Sequence, residues 1–459
     1  MNKPDRPVSI AEQLAAAIHD LEPAHLPPAT VEMARRLLLD VVGLAIAARN
    51  EDYIVATLGA ADPGTHATAF GHAGSFDAFG AALINGTAAH GEDYDDTFEG
   101  GPVHSCAVIV PAILAACERE KLGGDRVLLG IAVGTELMCR LALGAPKAIH
   151  TAGFHPTAVL GAVAAAGGVA ASLGLSPEHM ISAMGIAGSM ASGIIEYLAE
   201  GTWTKRMHPG WAAQSGLRAA LMARGGFLGP RTVLEGTHGF YHGFAPSVRP
   251  DYTRILDGLG TRWVMADIAF KPYACGTMTQ PFIDCAIALR AQGVRAEQIV
   301  SIVCEVGEGT VHRLWAPLAA KHRPATPYAA KFSTPFCMAV GFLDGRAGFG
   351  QFTAARIRDP QALALAGKVS YVIDPANEYP RNFTGHLRAA LADGSTMEIR
   401  QPHMRGGARD PLSATEIEDK FMDNALHGGW NRPQAEALRA ALAGLFAAPD
   451  MAALKAFRA

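Results

Sequence analysis

The chain has 459 residues, enough for two or three domains of roughly 150 residues each around a large buried core. Its 39 Lys and Arg stand against 43 Asp and Glu, a formal net charge of -4 with no polybasic run, which argues against a nucleic-acid partner. Apolar residues at 49%, charged residues at only 18% and 50 glycines exclude disorder and favour closely packed helices.

Ser9-Ile10-Ala11-Glu12 reads as a capping box opening a first helix, with Ile10, Leu14, Ile18 and Leu21 at helical spacing. Residues preceding it carry no apolar run, so no secretory leader is expected and the setting is read as cytoplasmic and reduced. After Pro27-Pro28 a second helix runs from Thr30, its expected cap, to Ala48. Further helices fit Phe76 to His90, Val108 to Glu120, Asp125 to Leu143, Thr157 to Leu173, Pro177 to Ile195 and Trp211 to Arg224, with no strand-like alternation between them. No charged residue separates His155 from Glu178, but Ala, Gly and Val dominate that stretch and Gly167-Gly168 interrupts it. A helix buried among helices is expected there, and no membrane span.

The period changes after about Thr261. Val300, Ile302, Cys304 and Val306 alternate with Ser301, Val303 and Glu305 as in a half-buried strand. Leu387 to Leu391, Asp393-Gly394, then Met397 and Ile399 predict a hairpin with a two-residue type I′ turn. Helical text returns at the capping box Ser413-Ala414-Thr415-Glu416 and continues to Phe457, in helices able to fold back on the first half. The expectation is a mainly α protein: a large all-α domain from 1–267 together with 403–459, and a smaller α+β domain at 268–402.

Four polar islands carry candidate chemistry. The first runs from His90 to Glu99 and on to His104; its five carboxylates within eight residues repel one another unless cations, a metal or solvent offset them. The alternative is a solvated acidic turn. In the second, His155 stands just before the uncharged helix, where a helix N-terminus lowers a histidine pKa; the alternative is a plain capping histidine. A third island, Thr202 to Gly210, holds Lys205, Arg206 and His208 in what reads as a loop before a helix opening near Trp211. The fourth, Lys271 to Gly276, lies where helical text gives way to the smaller domain. Histidines that shuttle protons and cations that hold carboxylates suit proton abstraction beside a carboxylate. There is neither G-x-G-x-x-G after a strand nor a P-loop, and the seven scattered cysteines form no metal or disulfide pattern. Neither a cofactor nor a metal is expected. Cys106 and Cys275 are read as packing residues.

At these islands the sequence resembles the MmgE/PrpD family, whose members include 2-methylcitrate dehydratases, cis-aconitate decarboxylases and an iminodisuccinate epimerase. The likeness rests on Asn85-Gly86 to His90, Asp93-Tyr94-Asp95-Asp96-Thr97 with His104, Phe154-His155-Pro156, Thr204-Lys205 with Gly210, Lys271-Pro272-Tyr273 with Pro281 and Asp284, and Lys331-Phe332-Ser333. The resemblance implies an all-α domain with an α+β lid, a site between them, no metal, and a homodimer. Carried onto this chain, it makes His104 and His155 proton-transfer residues and gives Asp93 and Thr97 orienting or binding roles. Lys205 and Lys271 then hold substrate carboxylates, and Arg206 and His208 join them as candidate substrate-binding residues. Where decarboxylase-like members carry a tyrosine after the Phe-Ser segment, this chain has Phe336, which favours dehydration or epimerisation over decarboxylation. The leading expectation is a cofactor-independent, 2-methylcitrate dehydratase-like lyase acting on a small polycarboxylate. An epimerase, a decarboxylase, a magnesium-dependent diphosphate enzyme and a non-catalytic carboxylate-binding protein are the alternatives.

Overall fold

The computed structural model describes residues 6–458, and its contacts divide the chain into two compact units. The first takes residues up to Gly91, Asp95–Ile268 and Ala414 onward; the second takes Glu92–Tyr94 and Ala269–Ser413.

In the first unit eight principal helices precede the chain's exit to the second: α1 (Ile10–His19), α2 (Pro28–Ala47), α3 (Ala78–Gly91), α4 (Cys106–Glu120), α5 (Gly124–Gly144), α6 (Pro156–Ser172), α7 (Pro177–Met190) and α8 (Thr204–Arg224). The Ser9 hydroxyl accepts the Glu12 N–H and the Glu12 carboxylate accepts the Ser9 N–H, so the predicted capping box closes. Thr30 does not cap α2; the helix starts at Pro28, whose fixed φ suits a first turn, and Thr30 is buried inside it. α7 stops at Met190, short of Ile195, and Pro63–Ala67 forms a short strand where none was expected. The larger displacement is α8, which begins at Thr204 rather than near Trp211 and carries Pro209 within its early turns.

Every residue of α6 is buried, which explains its lack of charge. Its neighbours approach through glycine. A Cβ at Gly168 would sit 2.9 Å from the Gly130 carbonyl oxygen and from Gly134 Cα on α5, and one at Gly216 of α8 would sit 2.5 Å from Ala165 Cβ. α3 and α8 meet the same way: a Cβ at Gly210 would lie 2.2 Å from the Leu83 carbonyl oxygen and 2.7 Å from Thr87 Oγ1. The excess of small residues is therefore spent on close backbone approach, where packing density is high and spare volume absent. Among the described residues one helix, α5, has the length and hydropathy of a membrane span, and 94% of that window is buried inside the protein. Its Glu136 and Arg140 pair with each other and with backbone groups of residues 255–265, which satisfies both charges in the interior. The returning helix Ala414–His427 packs on α2, where Lys420 pairs with Asp40 at 2.7 Å and Phe421 lies against Gly43.

In the second unit a four-stranded sheet has the order β2–β1–β3–β4, with β1 (Ile299–Val306), β2 (Val369–Ile373), β3 (Gly385–Leu391) and β4 (Thr396–Gln401). β1 and β2 are parallel; the other pairs are antiparallel. Phe282 and Leu289 of one helix, and Met338 and Phe342 of another, join Ile302, Cys304 and Leu387 in its core. Two sequence expectations give way. A register shift between Ile299 and Ser301 leaves Val300 exposed and buries Ile299, as a bulge does. The hairpin turn has positive φ at Gly394 but not at Asp393, and the Gly394 N–H returns to the Leu391 carbonyl, so it is a type I turn followed by a left-handed glycine, not a type I′ turn. The segment beyond Pro402 stays with this unit as far as Ser413, tied by the Phe270 N–H to the Gly406 carbonyl at 2.9 Å.

Gly210→Ala is expected to force α8 away from α3, costing about 1–3 kcal/mol in denaturant unfolding, in line with overpacked cores. Turnover is expected to fall with it, because His90 and His208 lie on those helices.

Candidate active site

The first unit gathers four histidines around one point. α3, buried at every residue but the half-buried Phe79, carries His90 in its last turn; His104 precedes α4; His155 is the N-cap residue of α6; His208 lies in the second turn of α8. Ring centroids are 4.9 Å apart for His90 and His104, 5.6 Å for His90 and His155, and 5.3 Å for His155 and His208. Tyr197 lies beside the last two, at 6.2 and 5.8 Å.

The hydrogen bonds fix several protons. His90 donates from Nδ1 to Asp95 Oδ2 at 2.7 Å, within a fully buried pair. His104 donates from Nδ1 to the Asp96 carbonyl at 2.7 Å; a carbonyl only accepts, so the neutral ring carries its lone pair on Nε2. Its main-chain N–H donates to Thr157 Oγ1 at 3.1 Å. The Asp96 carboxylate accepts the Ser105 and Cys106 N–H groups and the Ser105 hydroxyl, and so caps the N-terminus of α4. Burial, and then neighbouring Asp95, nevertheless raise its pKa to about 7. His90, Asp95 and His104 offer ligand atoms within 4.8 Å of one another, near enough for a divalent ion. Each Nδ1 is engaged as a donor to an oxygen, so the imidazole nitrogen turned away from these bonds is Nε2.

His155 is held well below the usual histidine pKa, by burial first and then by the charges of His90, His208, Lys205 and His104. The direction matches the sequence expectation, but the main cause is loss of water rather than the helix terminus. Burial, His90 and Lys205 lower His208 to about 4. Both rings are neutral at pH 7.

Lys205, on the first turn of α8, sets its charge beside both rings. Arg206 directs its guanidinium over the Tyr53 ring, 4.4 Å from the centroid. Thr97 is buried in the short strand Thr97–Phe98. Asp93 and Lys271 belong to the second unit. There Asp93 takes positive φ, and the buried Lys271 ammonium donates to its carbonyl at 2.8 Å and its Oδ1 at 3.2 Å. Lys331 makes the same pair of bonds to Glu92. The acidic run is thus no solvated turn: Asp93, Asp95 and Asp96 are buried, and lysines, an imidazole and a helix N-terminus offset the charge. Phe336 is fully buried in the second unit, its ring 6.4 Å from Phe352, so its missing hydroxyl reflects that unit's packing. All seven cysteines are free and buried.

Sequence reasoning missed the His90–Asp95 pair and Tyr197. The signal for the first was present, since a polar residue on a helix with no exposed face must find a buried partner.

Residues 12–253 match the MmgE/PrpD N-terminal domain and residues 273–442 the MmgE/PrpD C-terminal domain. The chain belongs to the MmgE/PrpD family. Within it, the chain is 29% identical over 433 residues to the cis-aconitate decarboxylase of Homo sapiens, covering 91% of this chain and 88% of that protein. It is 27% identical over 430 residues to the cis-aconitate decarboxylase of Aspergillus terreus, covering 86% and 85%, and 26% identical over 395 residues to the 2-methylcitrate dehydratase of Cupriavidus necator, covering 80% and 79%. As an MmgE/PrpD protein it is an enzyme of the lyase class.

Two outcomes follow from these charges. Asp96 binds its proton more tightly folded, at about 7, than at its ordinary 3.8, so stability declines as pH rises through that window. Thermal melts of Asp96→Asn are expected to lose that decline. Lys271→Ala removes the ammonium that the buried Asp93 carboxylate meets and is expected to cost about 3–5 kcal/mol in denaturant unfolding.

Proposed function

We propose that the protein is a lyase that removes the proton α to a carboxylate of a small tricarboxylic acid and expels a β-substituent, hydroxide in the leading reading. The step is redox-neutral and requires of the chain a base, an acid and cations. What carries the reading is the contrast between two neighbouring histidines. His155 is kept neutral by burial and surrounding positive charge, which suits a base. His104 has the Asp96 carbonyl at 2.7 Å and Asp95 Oδ1 at 3.5 Å from Nδ1, acceptors that stabilise an imidazolium able to protonate the leaving group. Lys205 is assigned to a substrate carboxylate in the first unit. Lys271, with Asp93, is the ammonium of the second unit to which a carboxylate role is assigned.

Decarboxylation is the second reading. It is favoured by the likeness to proteins named cis-aconitate decarboxylase, which covers more of the chain than the likeness to 2-methylcitrate dehydratase. The same imidazolium then protonates the carbanion left by loss of carbon dioxide.

Purified protein incubated with 2-methylcitrate, citrate and cis-aconitate in deuterated buffer and followed by NMR separates these readings. Formation of an alkene with loss of water supports the first and release of carbon dioxide the second. Deuterium uptake without net product points to epimerisation, and inertness toward the whole panel rejects the proposal. On the substrate so found, His155→Ala and Lys205→Ala are each expected to lower kcat/KM by about 10²–10³-fold, the scale of a lost preorganised group. Because the base pKa is lowered, the acidic limb of kcat/KM is expected below pH 6.5.

A further inference from the structure

The His155 Nδ1 lies 3.1 Å from the His208 Nδ1, and both side chains are buried. Two nitrogens at that distance share one proton, so one ring donates and the other accepts. The direction matters. If His155 donates, its Nε2 carries a lone pair and the ring is a base; if His208 donates, His155 Nε2 bears hydrogen and abstracts nothing.

We infer that His208 is a positioning residue whose Nδ1 accepts the His155 Nδ1–H, holding the His155 Nε2 lone pair toward substrate and taking up the proton the reaction displaces. The inference rests on the assignment of His155 as base under the proposed function. Three observations support it. Besides the pair itself, His90 from α3, His104 from the segment before α4 and Lys205 from α8 bear on His155, whereas only His90 and Lys205 bear on His208. A displaced proton is therefore better accommodated on His208. Second, one glycine lies next to both rings. The Gly193 carbonyl accepts the His155 main-chain N–H at 2.8 Å, and a Cβ on Gly193 would stand 3.4 Å from His208 Nδ1. Third, the Tyr197 ring closes on both imidazoles, so neither turns away freely.

The proton balance is simple. The substrate C–H bond breaks and an N–H bond forms at His155 Nε2; the His155 Nδ1–H bond breaks and one forms at His208 Nδ1. The electron pair of the C–H bond stays with the substrate, and the positive charge ends on His208.

The test compares His208→Leu, which removes the acceptor, with His208→Asn, whose amide oxygen accepts in nearly the same place but takes no proton. His208→Leu is expected to lower kcat by on the order of 10²-fold, the range of one acid–base partner, with KM little changed. A primary deuterium isotope effect on kcat is expected to appear or grow as abstraction becomes slow. His208→Asn should recover part of the loss. Ring ¹⁵N NMR, with His155 assigned by difference from His155→Gln, should show a pyridine-type Nε2 in the native protein and a mixed tautomer in His208→Leu. A pyridine-type Nδ1 on native His155, or wild-type kcat in His208→Leu, overturns the inference. Full turnover in His155→Ala instead overturns the assignment of His155 as base. If the leucine variant does not fold, the asparagine variant and the native spectrum decide.

Discussion

Exclusion of water by backbone contact is the constraint on which the site depends. Glycines on α3, α5, α6 and α8 bring main chains within van der Waals reach, and the imidazoles of His90, His155 and His208 end up buried, with His104 half-buried beside them. A histidine in water is half-protonated near neutrality. Here burial acts first and the neighbouring cations second, and both push His155 and His208 toward neutrality. The two rings are kept neutral by the packing of residues that carry no chemistry.

The acidic stretch after α3 shows the same economy. Asp96 organises the start of α4, Asp95 holds His90 and faces His104, and Glu92 and Asp93 are each met by a buried ammonium in the second unit. A run that in text looks self-repelling is divided among separate partners. Each of these four carboxylates sets the tautomer of an imidazole, fixes a helix start or anchors the loop.

Much of the architecture is legible in the sequence because a helical period and a strand period are hard to confuse over long stretches. The uncharged α6, the first capping box and the strand-rich second unit are all read correctly. The errors have local causes. Pro209 and the polar content of Thr204 to Gly210 disguise the first turns of α8, a bulge inverts Val300, and one left-handed glycine where two positive φ values were expected changes the hairpin turn. For the site, the motif histidines and Lys205 are readable as residue types. Their pairing is not, because His155 and His208 are 53 residues apart and Asp95 meets His90 across a turn.

Gly193 bears on more than one ring. Its carbonyl fixes the entry of the chain into α6, its φ of +135° is one that side-chain-bearing residues rarely adopt, and a Cβ there would come 2.5 Å from Ala158 Cβ and 3.4 Å from the His208 imidazole. Two side chains from distant helices thus share a single point of failure that neither of them contains. The space beside two imidazoles is kept by a residue with no functional group of its own.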